Sequence, residues 1–486
     1  MQTLLAGLLA VFSFAPFGMF PLSVVALLVL FRVWSRCENA FQAARAGFTF
    51  GMGLFSFGVG WVYVALHDYG YMHPLLAITA TLLFAALASS PLALAGYVLL
   101  RIRTSERVRV LLLMPALWVM AEWLRGLMFT GFPWLVFGYS QVPGSPLLGY
   151  APLFGVYGVS LAVAVSAGLL LFVSQARWSV AGKLALGGLS ALWLLGAALQ
   201  QVAWTQPSGE PLKVSLLQGN IPQDEKFSQE TLVATLETYR RLAQGSDARL
   251  IVLPETAFPM LRHNVPPYYQ QILRDHVQRN GGDILIGAFE KEGGSYFNSV
   301  YSLGTAESQH YRKDHLVPFG EFIPMRGVLG WFINEVLQIP MGDLSSGGDA
   351  QVPLAVAGQQ VAVNICYEDV FGEEIIRQLP QATLLVNVTN DAWYGESNAA
   401  VQHNQMSQMR ALETGRVMLR ATNTGVTSII GTDGQVLAHL PQHEEGVLTA
   451  VVQGYTGSTP YVRWGNVTVL ILLALMLGAA ARYSRL

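Results

Sequence analysis

Residues 360–368 read QVAVNICYE, an apolar run that closes on a cysteine, a tyrosine and an acid. Its length and its Val and Ile content suit a strand buried on both faces, as in the middle of a parallel sheet. Similar runs recur on either side: KVSLLQG at 213–219, ARLIVLPE at 248–255, DILIGAF at 283–289 and TLLVNVTN at 383–390. Amphipathic stretches at helical spacing separate them, at 228–244, 266–280 and 398–421. Two hairpin-like pairs also appear: NSVYSLG…SQHYRK, and SIIGTDGQVLAHL, which turns on Asp433-Gly434. The segment 206–455 is therefore predicted to be an α/β domain.

Outside that segment the composition changes. The 486-residue chain is 52 % hydrophobic and 12 % charged, against about 25 % charged in soluble proteins. Residues 1–203 carry few of those charges, whereas 210–446 has the polarity of a globular domain. A net charge of −2 suggests no nucleic-acid partner. A bilayer-spanning helix needs about 20 mostly apolar residues. Candidate spans lie at 2–15, 21–35, 46–66, 74–100, 107–125, 151–175, 181–203 and 465–481. Eight transmembrane helices are thus expected: seven within 1–205, and one in 456–486 ahead of the C-terminus. The first resembles a signal peptide in length. No Lys or Arg precedes Leu4, however, and Phe14-Ala15-Pro16 is no small-x-small cleavage site, so it is expected to stay.

Positive charge sets the orientation. Arg32, Arg36 and Arg45 separate spans two and three; Arg101, Arg103, Arg107 and Arg109 separate four and five. Arg177 and Lys183 separate six and seven, and Arg482 and Arg485 follow the last. The loops around Pro16, around Asp68 and over 126–150 hold no Lys or Arg. Both termini are then expected to be cytoplasmic, with the α/β domain outside. Cys37 and Cys366 would lie on opposite sides of the membrane, unable to pair, and neither belongs to a CxxC-type metal pattern.

Three motifs put reactive side chains at or just beyond expected strand ends, where α/β sheets bind ligands. They are LPETAFP with Glu255, YRKDHLVPFGE with Lys313 and Glu321, and NICYED with Cys366, Tyr367 and Glu368. Acyl transfer needs a nucleophile, a proton acceptor and a cradle for an oxyanion. Taken singly, each residue has a plainer reading. Cys366 suits a core cysteine, Glu255 a helix cap and Lys313 a solvated hairpin lysine. Glu321 and Glu368 suit structural support as well as function. Trp393 and Tyr394 in NDAWYG are either core aromatics or walls of an acyl groove, while His403 and Arg416 read as structural.

Two features fit a lipid substrate. Residues 328–341, VLGWFINEVLQIPM, are strongly apolar. They read as a lid carrying Trp331 and Phe332 toward the bilayer, or else as ordinary core. The loop 126–150, with Trp134 and Tyr139, has the aromatic content of an interfacial segment. Glu122 and Arg125 near one end of span five are functional candidates in lipid, or a simple ion pair.

Together the three motifs resemble the nitrilase superfamily, whose members use a Glu-Lys-Cys triad in an αββα sandwich. With spans on both sides, the resemblance narrows to the superfamily's membrane-embedded branch, the apolipoprotein N-acyltransferases. It implies a ping-pong acyltransferase with Glu255 as general base, Lys313 as oxyanion-side cation and Cys366 as nucleophile. Glu321, Tyr367 and Glu368 match the family's supporting positions. The implied donor is a membrane phospholipid and the implied acceptor a diacylated apolipoprotein. The implied location is the outer, periplasmic face of the bacterial inner membrane, and no metal or organic cofactor is implied. The alternative within enzymes is a membrane-tethered nitrilase-type amidase, for which one anchor would suffice. A transporter with an inactive outer domain would leave the triad unexplained.

Overall fold

The computed structural model describes residues 1–176, 179–323 and 343–482. The chain divides into two units. One comprises Met1–Tyr63, Pro74–Ala203 and the chain from Thr459; the other comprises Val64–His73 and Trp204–Ser458.

The first unit is helical. Its helices are α1 (Gln2–Val11), α2 (Pro21–Trp34), α3 (Ala40–Gly58), α4 (Pro74–Arg101), α5 (Met114–Arg125), α6 (Ala151–Ala176), α7 (Val180–Leu199) and a terminal helix Val467–Arg482. Each expected span falls on helical residues, but their lengths differ. Among the described residues three helical stretches are long and apolar enough to cross a membrane: Pro74–Arg101, Pro146–Ala176 and Val180–Leu199. A fourth results if Ala40–Gly58 and Trp61–Tyr69, bent by 53°, make one span. Gln2–Val11, Pro21–Trp34 and Val467–Arg482 are apolar but shorter. Small residues bring α3 and α4 together: a methyl on Gly47 would meet the Leu92 carbonyl oxygen at 2.2 Å, and one on Gly96 that of Ala43 at 2.3 Å.

Trp134 and Tyr139 are buried, each 1 % exposed, rather than presented to an interface. Trp134 packs on Trp61 at 5.0 Å, and Phe137 on Trp118 at 4.7 Å. Two charged side chains brace this loop. Glu122 accepts the Phe137 N–H at 2.8 Å and the Ser160 hydroxyl; Arg125 donates to the carbonyls of Trp134, at 2.6 Å, and Phe132.

The second unit holds two sheets. The first contains β1 (Thr205–Gln218), β2 (Leu250–Val252), β3 (Phe258–Leu261), β4 (Asp283–Glu292), β5 (Ser295–Gly304) and β6 (His310–Arg312). The second contains β7 (Leu354–Val356), β8 (Gln359–Ile365), β9 (Leu384–Thr389), β10 (Met418–Thr422), β11 (Ser428–Ile430) and β12 (Val436–His439). A last strand, β13 (Gly446–Gly457), returns to the first sheet. The orders are β13-β1-β2-β4-β5-β6, with β3 beside β4, and β12-β11-β10-β9-β8-β7. Strands β1, β2 and β4 run parallel, as do β8, β9 and β10.

Strand alternation builds the layers. Val214, Leu216, Val252 and Leu285 from one sheet share a core with Val363, Ile365, Val386, Val388 and Leu419 from the other. Ile251, Leu253, Ile284 and Ile286 point the opposite way, under α8 (Gln229–Gln244) and α9 (Pro267–Arg279). The second sheet's outer face instead aligns Asn364, Asn387 and Arg420 side by side. Their hydrogen bonds engage polar side chains that include Ser407 of α10 (Ala399–Thr414). The result is an αββα sandwich, and both expected hairpins are present as β5–β6 and β11–β12.

The expected helix 398–421 is corrected. It ends at Thr414, because Gly415 turns left-handed at φ 62°. The last residues of that stretch form β10, whose apolar positions continue the helical spacing and hid the break. The expected lid, with Trp331 and Phe332, lies outside the described residues.

Candidate active site

The reactive side chains sit on segments that follow strands. Glu255 follows β2, Lys313 follows β6, Cys366 follows β8 and Asn390 follows β9. Glu255 lies against β4, where a methyl on Gly287 would come within 2.9 Å of the Glu255 Cα and 2.4 Å of the Pro254 oxygen. Only glycine lets the strand approach the acid this closely. Both Glu255 carboxylate oxygens are held: Oε1 accepts from Asn298 Nδ2 at 2.7 Å, and Oε2 from the Asn390 N–H at 2.9 Å.

Lys313 is 1 % exposed, with its ammonium 2.9 Å from Glu321 Oε2 and 3.8 Å from Glu255 Oε1. Asn298 Nδ2 also reaches Glu321 Oε1 at 3.2 Å, so one amide ties the two acids together. Burial alone would lower the Lys313 ammonium, but the Glu321 and Glu255 carboxylates outweigh it and hold it well above an ordinary lysine. It is charged at any working pH.

Cys366 is left-handed at φ 53° and 8 % exposed. The neighbour of the acid, Thr256, is left-handed too, at φ 46°. Such conformations cost of order 1–3 kcal/mol each and gather at functional sites. Burial, and then the Glu255 carboxylate, push the thiol well above its usual value, while Lys313 and the Thr389 hydroxyl pull it down. The resting sulfur is therefore a thiol, lying within the fields of both Glu255 and Lys313.

Glu368 is a clamp. Its Oε2 accepts the Ile365 N–H at 2.6 Å. Its Oε1 accepts the Tyr311 hydroxyl at 2.9 Å and the N–H groups of Asp314 and His315 at 2.7 and 3.2 Å. Burial pushes its carboxyl up to about 7 against those donors. Tyr367, beside it, packs edge-on against Phe371 at 5.3 Å.

Behind the cysteine lies a buried ionic network. The Cys366 carbonyl accepts from Asn387 Nδ2 at 3.1 Å and lies 3.2 Å from His403 Nε2. His403 also contacts Asp369 at 2.7 Å and Asp391 at 2.9 Å, and Arg420 pairs with the same two acids at 3.1 and 3.0 Å. With a carboxylate at each ring nitrogen, His403 is held as imidazolium. Arg416 serves the fold, donating to the carbonyls of Ala382 and Gly457 at 2.7 and 2.8 Å. Tyr394 is half-buried and within the field of Cys366 and Glu255. Trp393 is 43 % exposed and meets Tyr69, from the Val64–His73 segment, edge-on at 6.2 Å.

Residues 6–169 match the apolipoprotein N-acyltransferase N-terminal domain, and residues 213–461 match the carbon-nitrogen hydrolase family. An apolipoprotein N-acyltransferase of Nitrosomonas europaea is 52 % identical over 98 % of this chain and 96 % of its own length. This chain belongs to the apolipoprotein N-acyltransferase family. Another apolipoprotein N-acyltransferase, from Methylococcus capsulatus, is 43 % identical over 98 % of this chain and 94 % of its own. A crystal structure of a CN-hydrolase superfamily protein from Xanthomonas campestris aligns with 55 % of this chain and 97 % of its own, at 18 % identity and a TM-score of 0.37.

Sequence motifs pointed to Glu255, Lys313, Glu321 and Cys366, which the structure brings near one another, but not to Asn298, Thr389 or Asn390 beside them. These are uncharged side chains or lone residues whose roles depend on register across the sandwich.

Proposed function

We propose that this chain transfers a fatty acyl group from a membrane phospholipid, through a thioester on Cys366, to the N-terminal α-amino group of a diacylglyceryl-cysteine apolipoprotein. The observation that carries the reading is the buried Glu255–Lys313–Glu321 array facing a left-handed cysteine, in a chain of this family.

Because the thiol is protonated at rest, its proton passes to the Glu255 carboxylate as sulfur attacks the ester carbonyl. The carbonyl oxygen becomes an oxyanion beside the Lys313 ammonium and the Tyr367 N–H. Collapse breaks the ester C–O bond, and Glu255 returns the proton to the departing lysophospholipid oxygen. The acceptor amine then attacks the thioester. Glu255 takes the amine proton and passes it to the departing sulfur as the C–S bond breaks, which restores the thiol and the carboxylate.

In this reading the chain crosses the bacterial inner membrane eight times. Residues 1–205 and 456–486 lie in or beside the bilayer, and 206–455 sits on the periplasmic face. The alternating Lys/Arg content of the loops supports that arrangement. The apolar faces that α4 and α7 leave exposed, such as Leu83 and Leu184, suit lipid contact.

The test is incubation of purified protein with labelled phospholipid, followed by mass spectrometry of the Cys366 peptide. The wild type should carry an acyl thioester that a diacylated lipopeptide discharges. Cys366→Ala should show neither acylation nor transfer at unchanged melting temperature, and transfer by that variant would refute the reading.

A further inference from the structure

Lys226 lies between β1 and α8 and belongs to none of the three motifs. It is 1 % exposed. Among the described residues its ammonium has one hydrogen-bond partner, the main-chain carbonyl of Glu255 at 3.0 Å. An ammonium carries three donors, so a buried one with a single neutral partner is costly. A carboxylate normally accompanies such a group. Here the anions whose fields it feels are Glu255 and, when ionised, Cys366.

We propose, building on the thioester reading, that Lys226 is a positioning residue that stabilises the Cys366 thiolate as its proton leaves for Glu255. The charge balance supports it. Lys313 is engaged by Glu321 at 2.9 Å, so it answers one carboxylate already. Glu255 and Asp391 oppose ionisation of the sulfur, and of the two lysines Lys313 is the one that pulls the thiol down at rest. Tyr394 lies in the same field and carries no charge at neutral pH. Among the described residues, the hydrogen bond that the Lys226 ammonium makes goes to a main-chain carbonyl and not to a side chain. Burial pulls it down to about 8, against the fields of Glu255 and Cys366. It therefore stays protonated at neutral pH yet is sensitive to the charge on sulfur. Its bond to the Glu255 carbonyl fixes it relative to the acid that receives the proton.

The experiment uses the full-length detergent-solubilised protein. Iodoacetamide alkylation of Cys366 is followed by peptide mass spectrometry from pH 6 to 10. Lys226→Gln keeps a hydrogen-bond donor and removes the charge; Lys226→Arg keeps the charge. The Gln variant should shift the alkylation profile up by about one pH unit, slowing the reaction about tenfold at pH 7. The Arg variant should stay within about threefold of wild type. A wild-type profile in Lys226→Gln overturns the proposal, and so does equal slowing in both variants, which would mark a purely structural anchor. Acylation by phospholipid is measured in parallel. Alkylation that follows charge in a protein that forms no acyl-enzyme would keep the Lys226 role and reject the thioester reading.

Discussion

Glu321 holds Lys313 with a carboxylate that is itself fixed: Oε2 lies 2.9 Å from the ammonium and accepts the Val317 N–H at 2.8 Å. The loop carrying Glu321 and the strand end carrying Lys313 are thus joined through one side chain. Asn298 then carries the connection on to Glu255.

Glu321→Gln should leave the Lys313 ammonium buried with one distant carboxylate. Breaking a buried pair from one side costs about 3–5 kcal/mol. The variant is expected to lose stability on that scale and to form acyl-enzyme slowly. Thermal unfolding and single-turnover acylation report the two effects separately. A variant that unfolds like wild type would show that Glu255 alone can hold the lysine.

Glu255→Gln preserves shape but accepts no proton. On the proposed route both half-reactions pass a proton through this acid, so each should slow by about 10²-fold or more. Donor is added first and lipopeptide afterwards, with each phase timed. Normal acylation followed by blocked discharge would confine Glu255 to the second step and send the search for the thiol's base to Glu368.

The network behind Cys366 has a defined pH window. His403 is raised: burial and Arg420 oppose its charge, but Asp369 and Asp391 prevail. Its stabilisation is full below the unfolded histidine value of about 6.5 and fades as pH rises through the folded value. Asp369 and Asp391 are lowered: burial opposes them, but His403 and Arg420 prevail. Their stabilisation is full above about 4 and fades as pH falls through the folded values. The melting-temperature gap between wild type and Asp391→Asn should therefore be widest between about pH 4 and 6.5. A gap independent of pH would mean that the network is not ionised.

Orientation can be tested with single cysteines at two exposed sites, Glu307→Cys and Ser105→Cys. A membrane-impermeant maleimide applied to spheroplasts should label the first and spare the second. The reverse pattern would invert the topology.

The sequence carried the sandwich in its apolar runs, since length and β-branching at 248–255, 283–289 and 383–390 register local burial. It carried Glu255 and Cys366 as candidates because each ends such a run, and Lys313 because it closes a hairpin strand. It did not carry Gly415 as a helix stop, because the apolar spacing of Met409, Leu412 and Leu419 runs straight through it. Nor did it carry Asn298 or Lys226. Asn298 bridges two acids supplied by separate segments, and Lys226 is meaningful only once Glu255 lies beneath it. Such relations arise from sheet register, which a linear pattern does not encode. Trp134 misled for a related reason: an aromatic in a polar-poor loop looks the same whether lipid or other helices cover it.

Glu368 gathers donors from Tyr311 on β6, from Asp314 and His315 just beyond it, and from Ile365 on β8. Strand β6 belongs to one sheet and β8 to the other. The carboxylate is therefore a rivet through the sandwich. Slip of one sheet along the other would break several bonds at once and strand their buried partners. The spacing between the segment that carries Lys313 and the one that carries Cys366 is accordingly gauged by the fixed reach of a single side chain.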